Sequence, residues 1–543
     1  MKKPSGCPDN HTQGDTEMLK RREFGKLALV GGVTSLAAPR NALSLGDTSR
    51  PALTVAVEAL WQNIAPINGI SNASARIFPN VYDRLIEIDY LKDPAGQTLS
   101  PRLATSWSRN DKVWTIELRP NVKFHNGAPM TAEDVAFTLS EERLWGKTAY
   151  EPRGRTFAAG FVRVDAVGPL TIEIETAEPD INVPGKLSGY IGYVVPKAYY
   201  LEKGVDGFGQ VPVGTGPYKM RSYRGNEAAI LDAFDDHWDG PPPARSLTFK
   251  LVPEYAGRLA GLATGEFDFI CSIPTDQEKQ VEGLPDVKLV RQRVGNYTAV
   301  LFNMRNDPED NPLQNQDLRY ALIQAIDMDS IVKSLFGDTT FFPAVPFNFP
   351  EYGRYYDPAA KPRLPFDPDA ARALVTKSGY KGQELIWHIT RGFWTNYDAA
   401  AEIMVEMWRA VGLNVEARFR DNFQLAYSRP FHMLAVSGGT TFIPGDPYQP
   451  LWLDWSPTGV ISSAAWKTWD PPREFVEIGQ AYSRAVDLDE RKRLFKELSA
   501  EWQRVMPGQY MWKSVANWAH QAKYGWIGIS EFEMRLHGSY LKL

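Results

Sequence analysis

The residues that most often do chemistry are scattered along this chain without pattern. The seven histidines include neither a His-Glu-x-x-His run nor a pair four residues apart on a helix, the spacings that turn two imidazoles toward one zinc ion. The two cysteines, Cys7 and Cys271, stand too far apart to make a zinc knuckle. No Gly-x-x-x-x-Gly-Lys-Ser/Thr loop is present to cradle phosphates, and no Gly-x-Ser-x-Gly elbow to present a nucleophile. Gly214-Thr215-Gly216-Pro217-Tyr218 begins like a dinucleotide-binding turn but puts proline where the helix should start, so it reads as a tight turn into a strand. No cofactor and no metal are expected. A catalytic set assembled from distant residues stays open, because spatial clusters are invisible in sequence.

The elements around these residues read as mixed α and β. Leu53–Val57, Val113–Leu118 and Thr171–Glu175 have strand character, the last two by alternation. Thr131-Ala132-Glu133-Asp134 carries a helix N-cap with an acid three residues on. Ile403, Met404, Met407, Trp408 and Val411 recur at helical spacing, Gly412 supplies the stop, and Leu413–Ala417 resumes an extended pattern. No internal repeat occurs, and the proline-rich pieces 240–243 and 341–368 read as ordered connections.

At 543 residues the chain needs more than one core. With 43% apolar and 23% charged residues it has the composition of a globular protein. The net charge of −5 is spread along the chain, which argues against nucleic acid or an anionic membrane surface as partner. The 16 tryptophans fit ligand stacking and core packing equally well.

Lys20-Arg21-Arg22-Glu23-Phe24-Gly25-Lys26, followed by an apolar run over 27–38 and small residues to Ala42, has the form of a twin-arginine export signal. The run is too short for a bilayer anchor. Met18, just before the arginines, is an alternative start that would remove Cys7. Cys7 precedes the apolar run, so it is not placed for lipidation. The expected product is an unanchored periplasmic protein in which Cys271 is a small buried apolar residue.

Leu103-Ala104-Thr105-Ser106-Trp107, Trp114–Pro120, Val122-Lys123-Phe124-His125-Asn126-Gly127 and Thr131–Val135 form one block. Gly214–Tyr218 with His237-Trp238-Asp239-Gly240 forms a second, and Ala263-Thr264-Gly265-Glu266-Phe267-Asp268 a third. Leu301-Phe302-Asn303, Leu318–Leu322, Ala325–Asp327 and 370–379 follow in order. Together these segments resemble the extracellular solute-binding family 5, which includes dipeptide, oligopeptide, nickel and opine receptors of ABC importers. Most of the pattern reads as scaffold: Asn126-Gly127 as a hairpin turn, Trp107 and Trp114 as core.

The resemblance implies an α/β, two-lobed periplasmic-binding-protein fold (type II, cluster C) with an extra domain in lobe I. The expected division is a signal and leader over 1–45, lobe I (domain Ia) over 46–80, the small domain Ib over 81–212, lobe I again over 213–291, lobe II over 292–499, and lobe I completed by 500–543. It further implies a monomeric substrate-binding protein, not an enzyme, which captures a small solute between closing lobes and delivers it to permease subunits. A periplasmic enzyme and a chemoreceptor-coupled sensor are the alternatives.

The same resemblance implies where the solute sits. Trp61 and Asn63 occupy a loop after the first strand that faces the cleft in such proteins. In peptide-binding relatives an Asp in the segment matching 438–447 pairs with the ligand's α-amino group. Aligning Asp446-Pro447 with the family's Asp-Pro puts Ile443 at that place, although a loop shift could recruit Asp446 or Asp421. Thr441, Phe442 and Asp446 are the ligand-facing expectations there. Arg391 and Phe393 fall where relatives carry an Arg and a Tyr, and Trp394 follows as an aromatic wall. A guanidinium fork at Arg391 suits a carboxylate. The expected ligand is therefore an opine, a sugar or amino-acid conjugate, or a short or modified peptide.

Overall fold

The computed structural model describes residues 49–343, 345–439, 443, 445–462 and 466–543. The export segment with Cys7, and Thr441 and Phe442, lie outside the described residues. From Asp47 onward the chain forms one unit around three large apolar cores.

Ten strands form one continuous sheet. Its order runs Val415–Arg420, Leu385–Thr390, Met433–Gly439, Val287–Phe302, Gly508–Gln521, Phe269–Cys271, Ala52–Val57, Ser246–Leu251, Ala228–Ala233, Tyr218–Arg224. The two long middle strands, of 16 and 14 residues, run side by side and antiparallel, and they belong to both halves. Val294 and Ala516 pack in one core, whereas Tyr297 and Val515, a step further along each strand, pack in the other. At this point the ladder is broken by irregularities between Arg293 and Tyr297 and between Tyr297 and Ala299. Bulges bend strands and interrupt pairing, and these lie where the chain passes from lobe to lobe. The expected border at 291/292 falls inside the first crossing strand, and the one at 499/500 inside the helix Leu488–Val505.

The third core sits under a separate four-stranded antiparallel sheet, ordered Ala104–Asn110, Val113–Leu118, Thr171–Thr176, Phe161–Gly168. Trp114 is buried in that core and Trp107 packs at its margin. Gly127 takes a φ of +85° in the turn at Asn126-Gly127, where the Phe124 amide donates to Ala128 O at 2.8 Å.

The helix Ala132–Thr138 begins with a reciprocal cap: the Asp134 amide donates to Thr131 Oγ1, and the Thr131 amide donates to the Asp134 carboxylate at 2.9 Å. Removing the hydroxyl in Thr131→Ala is expected to cost about 1 kcal/mol, read as a lower urea midpoint at unchanged slope.

The helix Tyr397–Ala410 stops before Gly412, whose φ of +90° a side chain would strain. Its buried face is Tyr397, Ala400, Ala401, Met404, Val405 and Trp408, and Ile403, expected inside, is 38% exposed. Met404 and Trp408 are buried as expected, and Ala400, Ala401 and Val405 complete the face in place of Ile403. The strand that follows begins at Val415 and extends to Arg420, beyond its expected end. Cys271 is fully buried, and burial pushes its thiol up to about 12.

Candidate functional site

Where the crossing strands pass between lobes, a strand that is otherwise buried and largely apolar carries a lysine. Lys513 lies between Trp512 and Ser514 in Gly508–Gln521, with a side chain only 5% exposed. A buried ammonium is costly unless it is compensated. Its compensation is spread thinly. Glu351 Oε2 faces Lys513 Nζ at 3.7 Å, beyond hydrogen-bond reach, and the Phe349 and Tyr352 rings lie 4.9 and 5.6 Å from the ammonium. The same carboxylate holds Arg293, from the other crossing strand, through Nε to Oε1 at 2.9 Å. Burial drives Lys513 below the ordinary lysine range. Burial alone would raise Glu351, but Lys513 and Arg293 hold it low.

These groups border a cavity of about 40 Å³ completed by Tyr90, Gly445 and Glu531. Its walls come from both lobes and from the strands that join them. The Tyr90 hydroxyl donates to Glu531 Oε1 at 2.8 Å, and burial, then Glu533 beside it, push the Glu531 carboxyl up to about 7. Gln97 reaches from the lobe I side to fill the space that a side chain on Gly353 would take, and it also touches Gly445. At roughly 10–15 Å³ per water-sized probe, this volume holds a few waters and no larger solute.

The residues expected to face a solute fall into three places. Arg391, Phe393 and Trp394 share the loop after the strand Leu385–Thr390. Arg391 is exposed, with its guanidinium 5.0 Å from the Phe419 ring centre. Phe393 is 47% exposed and packs edge-on against Trp394 and Phe423, while Trp394 itself is buried in the lobe II core. Trp61 and Asn63 share the loop after the first strand. Trp61 is 45% exposed, and its carbonyl accepts from the Tyr223 hydroxyl. Asn63 Oδ1 accepts from the Ala65 amide at 2.7 Å, and its amide group covers Gly209, which shapes the loop.

Asp446 belongs to neither group. It is 7% exposed inside lobe II, where Oδ2 accepts from Arg491 Nε at 2.7 Å and Oδ1 from the Tyr482 hydroxyl at 2.5 Å and the Tyr448 amide at 2.9 Å. Ile443 is buried and Asp421 exposed. No motif points to Arg293, Glu351, Glu531 or Tyr90. Lys513 does leave a signal, as a charge inside Tyr510-Met511-Trp512-Lys513-Ser514-Val515, where a buried strand would carry none without a partner.

The sequence blocks hold the frame around this site. His125 Nδ1 accepts from the Gly214 amide at 3.2 Å and its Nε2 meets Gly216 O at 2.9 Å, tying the first block to the second. Asp268 accepts from the Thr54 amide at 2.8 Å and the Tyr524 hydroxyl at 2.6 Å, tying the third block to the first strand and the C-terminal region. Among the described residues no helix is long and apolar enough to cross a membrane.

The profile for bacterial extracellular solute-binding proteins, family 5 Middle, matches residues 98–461. The glutathione-binding protein GsiB of Pectobacterium atrosepticum is 26% identical over 435 residues, 78% of each chain. The probable peptide ABC transporter periplasmic-binding protein y4tO of Sinorhizobium fredii is 23% identical over 526 residues, 90% of this chain and 93% of that one. Among solved structures, the periplasmic binding protein DppA from Helicobacter pylori in complex with peptide STSA superposes with a TM-score of 0.76 at 20% identity, covering 91% of this chain and 98% of that one. AgaA from A. tumefaciens R10, in complex with agropinic acid, gives 0.76 at 18% identity, also over 91% and 98%. These neighbours share the two-lobed architecture.

Proposed function

This chain belongs to the bacterial extracellular solute-binding proteins of family 5, and we propose on that basis that it captures an acid-bearing small solute between its lobes for delivery to an ABC permease. It is the substrate-binding component of such an importer, outside the cytoplasmic membrane, and binding rather than catalysis is its role. The proposed solute class is an opine, a sugar or amino-acid conjugate, or a short or modified peptide. Relatives named for glutathione and peptides, and a neighbour solved with agropinic acid, belong to the same range of compounds. In this reading the chain travels by the twin-arginine route, acts as a free periplasmic monomer, and divides into lobes with borders at 291/292 and 499/500 that fall within a strand and a helix.

The observation that carries the proposal is the charged cavity at the lobe junction, walled by both lobes and by the strands joining them. A solute bound there touches both lobes at once, which is the condition for binding energy to favour closure. Arg391, Phe393 and Trp61 are the exposed groups proposed to complete the contact surface.

Thermal-shift measurements with unmodified dipeptides, glutathione and agropinic acid test the ligand class. A ligand at a hundred times its Kd stabilises the folded state by about 2.7 kcal/mol. Agropinic acid or glutathione is expected to raise the melting temperature. A strong shift with unmodified dipeptides and none with the acidic conjugates would overturn the class.

A further inference from the structure

The ammonium of Lys513 and the carboxylate oxygen of Glu351 that faces it are both buried, and neither is satisfied by the other. At 3.7 Å they attract but share no hydrogen bond, and Glu351 Oε2 accepts none from the described residues. Glu351 is also shared, since Arg293 holds its other oxygen at 2.9 Å. Two cations therefore face one carboxylate, and when Glu531 across the cavity is protonated an excess positive charge remains at the wall. A buried charge in that position gains most from an anion that brings its own acceptors.

We propose that Lys513, backed by Arg293, holds a carboxylate of the captured solute in the interlobe cavity, and that Glu531 sets the pH dependence of that capture. This rests on the solute-capture reading and goes further by naming the anion-binding group, which lies on the crossing strands and not on the Arg391 loop. A carboxylate at Lys513 also touches the part of the backbone that bends, so occupancy and lobe closure become one event.

The role of Glu531 follows from its surroundings. Tyr90 donates to it from one side, Glu533 repels it along its own segment, Arg84 and Arg535 draw it weakly, and Lys513 feels its charge across the cavity. With its carboxyl near 7, Glu531 is an anion above that pH and a neutral hydrogen-bond donor below it. Ionised, it occupies the field of Lys513 and repels an incoming carboxylate. Protonated, it no longer competes. The affinity for a carboxylate should therefore fall as pH rises through 7, by up to about tenfold between pH 6 and pH 8 for one linked proton.

The test uses the full mature protein with glutathione, Ala-Ala and their C-terminal amides, together with agropinic acid, titrated calorimetrically at pH 6 and pH 8. At least one acid is expected to bind, to bind more weakly at pH 8, and, for a peptide acid, to outbind its amide. Lys513→Met should weaken acids about tenfold or more while leaving amides nearly unchanged. Glu531→Gln should bind acids equally at both pH values, and this second variant serves as the check if Lys513→Met does not fold. Equal affinity of acid and amide for the wild type, a Lys513→Met protein that keeps the preference, or an unaltered pH profile in Glu531→Gln would overturn the proposal while solute capture stands. Failure of every compound to bind would overturn solute capture in the class tested, and this proposal with it.

Discussion

Asp446→Ala should unfold lobe II at a much lower denaturant concentration than the parent, with a stability loss of about 3–5 kcal/mol. The side chain removed is the counter-charge of Arg491, whose own side chain is fully buried. After the substitution Arg491 keeps, among the described residues, the carbonyls of Tyr482, at 2.7 Å, and Ala485, at 3.2 Å, and the rings of Tyr448 and Tyr482 at 5.4 and 4.3 Å, while two buried tyrosine hydroxyls, of Tyr355 and Tyr482, lose their acceptor. An uncompensated guanidinium in an apolar core is among the most expensive single defects available to a protein. Urea unfolding followed by tryptophan fluorescence measures the loss. Solute affinity, measured where the variant is still folded, is expected to change little. A stable variant that loses affinity would instead place Asp446 in the solute site.

A loss of similar size, about 3–5 kcal/mol, is expected from Asp83→Ala in lobe I. One buried carboxylate there takes four donors: Arg102 Nε and Nη2 at 3.1 and 2.9 Å, His237 Nε2 at 3.1 Å and Trp238 Nε1 at 2.9 Å. The Trp238 ring lies between the guanidinium groups of Arg102 and Arg119, at 4.5 and 4.2 Å. Burial alone would raise the Asp83 carboxyl, but Arg102 and His237 hold it far below the ordinary range. Because the folded state depresses this group, its contribution is fully present above the unfolded value near 4 and fades as pH falls below it. The stability gap between wild type and Asp83→Asn should therefore narrow by about 1.4 kcal/mol for each pH unit below about 4. A gap that stays constant from pH 5 to pH 3 would show that the cost is one of shape and not of charge.

These two carboxylates also show what the sequence discloses. The strand Ala52–Val57 follows from its short apolar run, Val113–Leu118 and Thr171–Thr176 from alternation, and the capped helix at Ala132 from a Thr-x-x-Asp spacing, all of which are local. The block His237-Trp238-Asp239-Gly240 is legible as a pattern, but its purpose is not, because the carboxylate it encloses lies 154 residues earlier. Asp446 sits beside a proline in a segment where a family resemblance invites a ligand, yet its partner comes from a helix 45 residues further on. At the cavity Glu351 and Arg293 stand 162 and 220 residues from Lys513, and Glu531 18. Lys513 is conspicuous by type alone, while Glu351, Arg293 and Glu531 become its neighbours only through the crossing of two strands. Local rules carry the elements, and long-range pairing carries the site.

The crossing strands also set an order on biosynthesis. Phe269–Cys271 pairs with Ala52–Val57 on one side and with Gly508–Gln521 on the other. Trp518, Trp526, Met534, Leu536 and Leu541, all of the lobe I core, are the last of that core to be translated. The lobe II core runs from Tyr297 to Val515 without contribution from the lobe I core residues. The strand at Ala52 pairs with Ser246–Leu251 and Phe269–Cys271, but the lobe I core it packs in is completed only by residues more than 450 positions downstream, which at ~5–20 residues per second is tens of seconds. Until then the edge at Phe269 stays unpaired and open to wrong partners. Part of the lobe translated first is thus among the last to be locked.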